Sequence, residues 1–301
     1  MASPPRLAGV ELGGTKAIAV LGRGTEIIDQ VRIPVTDAKE TLAAVSAELA
    51  RWHDEAPIEA LGIASFGPIV IDVRSPDYGR MLANPKPGWE GADVVGGLHR
   101  ELGCPAALHT DVTAAAFAEG RFGAGRGCTD HIYMTIGTGI GIGIIAGGRP
   151  IIGQLHPEGG HVGVRRLAAD SFAGICRFHG DCFEGLASGP AIAARAGRPG
   201  DQLGDDDPAW PPVIDAIAEA CANLFLNLAC QRIVIGGGVI NQRPWIIDSV
   251  SVAAARKLGG YLPFVGDRAP IVAAELGADA GPRGALLLAE QALDRSRDET
   301  G

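Results

Sequence analysis

AGVELGGTKAIAVLG, residues 8–22, has the pattern of an apolar strand, a Gly-Gly-Thr turn and a second apolar strand. Residues 132–148, IYMTIGTGIGIGIIAGG, repeat this pattern around Gly-Thr-Gly. Because glycine has no Cβ, the backbone N–H groups of such a hairpin can approach a phosphate closely. A single glycine-rich hairpin is common, but two hairpins about 125 residues apart predict a duplicated domain with a nucleotide between the halves.

Segments with helical spacing of apolar residues alternate with these strands. Helices are predicted at 36–56, 110–125, 210–230 and 281–299, and further strands within 58–70 and at 232–240. The alternation predicts an α/β protein.

The bulk composition excludes several classes of protein. A chain of 301 residues, 47% of them hydrophobic and 20% charged, can form one large domain or two of ordinary size. Its formal charge of −9 argues against a nucleic-acid partner. The apolar runs are short and broken by glycine, so we expect no membrane span. The N-terminal segment lacks a signal-peptide core, and we therefore expect a cytoplasmic protein.

Six cysteines are too few for a disulfide framework in a chain of this length. Two of them lie in HPEGGHVGVRRLAADSFAGICRFHGDCFEG, residues 156–185, together with three histidines. The spacing Cys-x₂-His-x₂-Cys, with a histidine fifteen residues upstream, supplies the four ligands that tetrahedral zinc requires. A disulfide between Cys176 and Cys182 is the alternative. Four protein ligands leave no open position for a substrate, which indicates a structural metal.

These motifs occur in a recognisable order. GVELGGTK, ASFGP, NPKPGW, HTDVTAAAFAEG, TIGTGIGIG, HPEGGH, CRFHGDCFEGLASGPAI and RIVIGGGV run from about Gly9 to Ala289. The ordered set resembles the ROK family of sugar kinases, and most of all its bacterial fructokinases. The resemblance implies two actin-like (ribonuclease-H-like) α/β domains with an interdomain cleft. The expected boundaries are 1–115, rejoined by a C-terminal helix at about 283–301, and 116–282 with the zinc loop. A homodimer is also expected.

The resemblance assigns roles to the glycine-rich turns. One set would bind the ATP phosphates: Gly13, Gly14, Thr15, Lys16, Thr135, Gly137, Thr138 and Gly139. Another would lie at the adenosine end: Gly236, Gly237 and Gly238. Kinase chemistry requires such donors because the charge of the transferred phosphoryl group must be neutralised, with Mg²⁺ as the partner of ATP. Plain tight turns are the alternative for each set.

Asp111 matches the general base of the family, which would accept the proton of the sugar hydroxyl. Its position before an Ala-rich helix is equally typical of a helix cap. Thr113 stands where relatives usually have Asn, and this puts any polar contact of that Asn in doubt. Glu11 stands where many relatives have Asp near the metal and the phosphates.

The sugar and zinc ligands follow from the same resemblance. Glu158, Glu184 and Asn84 match hexose contacts, and two carboxylates can bind neighbouring hydroxyls. The structural zinc would bind His161, Cys176, His179 and Cys182. His156 has no assigned role and could support the metal site or the sugar pocket.

The expected activity is ATP-dependent phosphorylation of a hexose, most of all D-fructose to fructose 6-phosphate. A broader mannokinase or glucokinase is the alternative within the class. A non-catalytic, sugar-sensing ROK protein is the alternative outside it; the repressors of the family have a DNA-binding region ahead of the first phosphate loop, which here begins by Gly13. The zinc cluster disfavours a third alternative, an actin-like ATPase that phosphorylates no sugar.

Overall fold

The computed structural model describes residues 3–83, 86–100 and 102–300, and its chain divides into two compact units. Unit 1 comprises Met1–Ala118, Ile151–Pro157 and Ala278–Gly301, and unit 2 comprises Glu119–Pro150 and Glu158–Gly277. The last helix therefore packs in unit 1, and so does the short segment 151–157. The boundaries of the two domains expected from the sequence stay a prediction.

Unit 1 is built on a five-stranded mixed sheet. Its elements are β1 (Arg6–Leu12), β2 (Lys16–Arg23), β3 (Glu26–Pro34), α1 (Ala38–Glu55), β4 (Ala60–Ser65), α2 (Val94–His99), β5 (Ala106–Thr110) and the start of α3 (Asp111–Phe122). The strand order is β3-β2-β1-β4-β5. The pairs β1–β2 and β2–β3 are antiparallel, and the pairs β1–β4 and β4–β5 are parallel. The predicted hairpin at 8–22 and the helix at 36–56 are confirmed.

Unit 2 repeats this topology. Its elements are β6 (His131–Ile136), β7 (Ile140–Ala146), β8 (Arg149–Pro150), α4 (Phe183–Ala187), α5 (Gly189–Ala196), α6 (Trp210–Leu228), β9 (Arg232–Gly236), α7 (Gly238–Gln242), α8 (Trp245–Leu258) and β10 (Ile271–Ala273). The strand order is β10-β9-β6-β7-β8, with β6 and β7 antiparallel and β6, β9 and β10 parallel. Each sheet thus has a glycine-turned hairpin beside parallel strands, which is the predicted duplication.

The C-terminal helix α9 (Ala280–Thr300) packs directly on the sheet of unit 1. A Cβ at Gly62, in the middle of β4, would lie 1.8 Å from the carbonyl oxygen of Ala285 in α9. Only glycine permits this approach of helix to strand. The other face of the sheet packs on α1 and α2 through residues such as Val45, Leu49 and Val94.

The core of unit 2 forms between its sheet and the helices α6 and α8. Ile132 and Ile235 of the sheet are buried in one cluster with Ile217 and Phe225 of α6 and Val250 of α8. Of the helices within residues 3–83, 86–100 and 102–300, none combines the length and the hydropathy that a bilayer crossing requires.

Candidate functional site

The first glycine loop, Gly13–Lys16, closes the hairpin between β1 and β2. The Gly13 N–H donates to the Lys16 carbonyl at 3.0 Å, and the Val35 N–H donates to the Thr15 carbonyl at 3.0 Å. Gly14, Thr15 and Lys16 are exposed. The Lys86 ammonium group also donates to the Gly14 carbonyl. The loop is therefore fixed by an internal bond and by contacts from Val35 and Lys86, while the exposed side of its tip remains accessible to an anion.

Two acidic side chains of unit 1 have raised pKa values. Burial raises the pKa of Asp111 to about 6, against the opposing effect of the backbone N–H groups of Val112 and Asp111. Burial, and then the charge of Asp111, raise the pKa of Glu11 to about 7, although Lys16 lowers it. Two carboxyl groups whose charges repel each other favour the binding of a cation or the sharing of a proton between them. Their oxygens are the ligand type that Mg²⁺ prefers.

The cap of α3 is Thr110, and not Asp111. The Thr113 N–H donates to Thr110 Oγ1 at 3.3 Å, and the two threonine hydroxyls are 2.8 Å apart. Asp111 Oδ1 instead accepts from the adjacent Val112 N–H at 2.8 Å. The carboxylate of Asp111 is therefore not needed to cap the helix. Thr113 is buried, and its hydroxyl is used inside the protein.

The second glycine loop, Gly137–Gly139, joins β6 and β7 in unit 2. The Gly137 N–H donates to the Gly139 carbonyl at 2.9 Å. Thr138 at its tip is exposed. Thr135 lies in β6, where it pairs with Gly141 of β7 and Gly236 of β9. Thr135 is thus part of the sheet that supports the loop.

The third glycine turn connects β9 to α7. Gly237 has φ of 92°, a conformation that side chains other than glycine rarely adopt. A Cβ there would also lie 2.4 Å from the Ile136 carbonyl oxygen. Glycine at this position lets the turn pack against the end of β6.

The second and third glycine turns line one cavity of about 430 Å³. Its lining includes Gly137 and Thr138 of the loop, Gly238 of α7, Gly189 at the start of α5 and Trp210 at the start of α6. This volume is within the range of cofactor pockets. Gly189 lies in the quoted motif CRFHGDCFEGLASGPAI, but no sequence pattern singled out Trp210.

The four predicted metal ligands meet in unit 2. The candidate ligand atoms of His161, Cys176, His179 and Cys182 lie within 4.8 Å of one another. His161 Nδ1 is 3.5 Å from Cys182 Sγ and 3.7 Å from Cys176 Sγ, and His179 Nδ1 is 3.7 Å from Cys176 Sγ. Tetrahedral zinc with ordinary Zn–N and Zn–S bonds separates N and S by about 3.6 Å. The donor set and its spacing fit zinc.

The two predicted sugar carboxylates adjoin this cluster along the chain. Glu158 is exposed and precedes the 3₁₀ turn Gly159–His161, whose His161 N–H donates to the Glu158 carbonyl at 3.0 Å. Glu184 is the second residue of α4, and its Oε1 lies 3.9 Å from His161 Nε2. The third candidate, Asn84, is outside the described residues.

His156 lies outside the metal cluster and packs in unit 1. Its Nε2 accepts from the Ile69 N–H at 3.2 Å, and a Cβ at Gly67 would lie 2.8 Å from the ring. Burial lowers the pKa of His156, which favours the neutral imidazole that such an acceptor requires. His156 therefore anchors the segment 151–157.

Two sheets of one topology, each with a glycine-turned hairpin, define an actin-like protein, and the cavity of unit 2 has the size of a nucleotide site. The chain belongs to the ROK family, whose model matches residues 7–292.

Relatives named fructokinase match nearly the whole chain. The fructokinase of Pediococcus pentosaceus is 40% identical over 290 residues, which are 95% of this chain and 98% of the relative. The fructokinase of Zymomonas mobilis is 36% identical over 291 residues, 93% of this chain and 95% of the relative.

Solved structures confirm the predicted fold. The ROK hexokinase of Thermus thermophilus is 28% identical and superposes with a TM-score of 0.78, covering 97% of this chain and 99% of its own. The ROK glucokinase of Streptomyces griseus, solved with glucose and AMPPNP, is 26% identical with a TM-score of 0.71, covering 95% and 99%.

Proposed function

We propose that this protein is a fructokinase that transfers the γ-phosphoryl group of ATP to D-fructose, giving fructose 6-phosphate and ADP. The main support is the 36–40% identity to fructokinases over most of the chain. The cavity bounded by the second glycine loop and Gly238 supports the proposal, because its volume of about 430 Å³ is suitable for a nucleotide.

The proposed roles follow from the chemistry of each group. The oxygen of the terminal sugar hydroxyl attacks the γ-phosphorus, the bond to the β–γ bridging oxygen breaks, and Asp111 accepts the hydroxyl proton. The exposed tips of Gly13–Lys16 and Gly137–Gly139 offer N–H donors to the phosphates. Mg²⁺, bound with ATP near Glu11, would supply neutralising charge. Glu158 and Glu184 would accept hydrogen bonds from sugar hydroxyls, with Asn84 as a further contact.

The alternatives within the family differ in substrate. A broader mannokinase or glucokinase would need only a few altered contacts, because one or two pocket groups change preference by a few kcal/mol. A sugar-sensing protein without catalysis would bind the hexose and release no ADP.

A coupled ADP-release assay across fructose, mannose, glucose and N-acetylhexosamines distinguishes these possibilities. We expect the highest kcat/KM with fructose and little ATP turnover without sugar. Equal or higher kcat/KM with glucose or mannose would favour the broader kinase. Sugar binding by calorimetry without any ADP release would favour the sensor.

Asp111→Asn should retain ATP and fructose binding and lower kcat by a factor on the order of 10² or more, through loss of the base. The base must be ionised, and the Asp111 pKa is about 6. The kcat/KM of the natural enzyme should therefore fall as the pH drops below about 6. The residual kcat/KM of the variant should not show this decrease, because the variant has no carboxyl group at position 111. Near-normal turnover of the variant would rule out Asp111 as the base.

We also propose a structural zinc ion on His161, Cys176, His179 and Cys182, supported by ligand spacings that fit tetrahedral coordination. Elemental analysis should find about one zinc per chain. Cys176→Ser should lose the metal, because a hydroxyl is a much poorer zinc ligand than a thiolate. Cys128→Ser, outside the cluster, is the matched control and should keep it. Protein purified under reducing conditions without chelators and found free of zinc would refute the site.

A homodimer is the third proposal. An apolar cavity of about 220 Å³ in unit 2 is lined by Ile142, Val162 and Leu224, and Leu226 is 51% exposed on the same helix α6. An apolar cavity and an exposed leucine on one helix suit a two-fold contact between copies. Sedimentation should show a dimer, and Leu226→Lys should shift it to monomer. A monomeric natural protein at micromolar concentration would contradict this proposal.

A further inference from the structure

The second glycine loop is held at both ends by a single short segment of chain. The Gly189 N–H, at the start of α5, donates to the Gly137 carbonyl at 2.7 Å. At the other end, the Ile140 N–H donates to Glu184 Oε2 at 2.9 Å. Residues 184–189 thus fix the backbone on either side of Thr138.

The carboxylate of Glu184 lies directly against the loop. A Cβ at Gly139 would be only 2.7 Å from Glu184 Oε2, closer than such atoms approach in proteins. A side chain at position 139 would therefore displace the carboxylate or the loop. The glycine permits the Ile140 hydrogen bond as well as any approach of a phosphate.

The other oxygen of Glu184 faces the metal cluster. Glu184 Oε1 lies 3.9 Å from His161 Nε2, while His161 Nδ1 faces the sulfur atoms of Cys176 and Cys182. Cys182 is also the cap residue of α4, two positions before Glu184. The cluster therefore adjoins this side chain both along the chain, through Cys182, and in space, through the imidazole of His161.

We propose that Glu184 is a positioning residue for the nucleotide, and that it couples the zinc cluster to the phosphate loop Gly137–Gly139. This role is additional to the sugar contact, and it rests on the proposed function, in which this loop binds the ATP phosphates. A short loop with two glycines has many accessible conformations, and ordering it costs free energy at each binding event. The bonds from Glu184 and Gly189 order the loop before the nucleotide arrives, which strengthens binding.

The experiment measures the Kd of Mg-ADP by calorimetry without sugar, so that sugar contacts cannot contribute. Glu184→Ala removes the acceptor of the Ile140 N–H and should raise the Kd about tenfold. Glu184→Gln retains an amide oxygen that can accept the same bond and should stay within about threefold of the natural protein. Glu158→Ala, which changes the other sugar carboxylate, should leave the Kd for ADP unchanged while raising the KM for fructose.

Zinc content and thermal unfolding are measured for each variant, so that a misfolded protein is recognised. If Glu184→Ala fails to fold, Glu184→Asp replaces it: its charge is kept, but its carboxylate is one methylene too short to reach Ile140, and the same tenfold loss is expected. Chelation of zinc from the natural protein should also raise the Kd for ADP, and added zinc should restore it.

A folded, zinc-loaded Glu184→Ala or Glu184→Asp protein that binds ADP like the natural protein would overturn the proposal. So would an unchanged Kd after zinc removal from a protein that stays folded. If the natural protein binds no ADP at all, the proposed nucleotide site fails instead, and the two failures are distinguishable.

Discussion

The proposed phosphate loops, Gly13–Lys16 and Gly137–Gly139, would bind through backbone N–H groups, and this role constrains the structure around them. Glycine lets N–H groups approach an anion, but it supplies no side chain that could anchor the loop. The order of each loop must therefore come from its surroundings. Each loop has one internal backbone bond; the Val35 N–H holds Gly13–Lys16 in addition, and Gly189 and Glu184 hold Gly137–Gly139. In both units the loop closes a hairpin inside a five-stranded sheet, so that rigid strands fix both ends.

The parts of the structure that depend on local pattern could be predicted from the sequence. The hairpins, the helices α1, α3, α6 and α9, and the convergence of His161 with the Cys176–Cys182 motif follow from periodicity and ligand spacing. The packing of segment 151–157 in unit 1, the place of Trp210 in the cavity and the bond from Ile140 to Glu184 could not be predicted. These features join positions far apart in the chain, and the last of them spans 44 residues.

At Asp111 the geometry excludes one of the two roles that the sequence leaves open, the helix cap, and leaves the proposed base role. A carboxylate at a helix start can serve as a cap or as a base, and the partner of the Thr113 N–H shows whether it is the cap. Thr110 Oγ1 accepts that bond and lies 2.8 Å from the Thr113 hydroxyl, so both polar groups of Thr113 have a partner within the protein. Relieved of capping, the carboxylate is partly buried, and its raised pKa of about 6 keeps it ionised yet basic near neutral pH.

The chain around the candidate metal cluster lacks regular structure, and this explains why a metal would be needed there. Between the 3₁₀ turn at Gly159–His161 and α4 the described chain has neither helix nor strand, and Ile175 and Phe178 are exposed rather than packed. A segment without a core of its own cannot hold a carboxylate to a fraction of an ångström. The bidentate pair of Arg195 with Asp170, at 2.5 and 3.1 Å, fixes one side of the segment. Four ligands on one ion would fix the other side, beside Glu184, whose carboxylate accepts the Ile140 N–H at the end of the loop Gly137–Gly139.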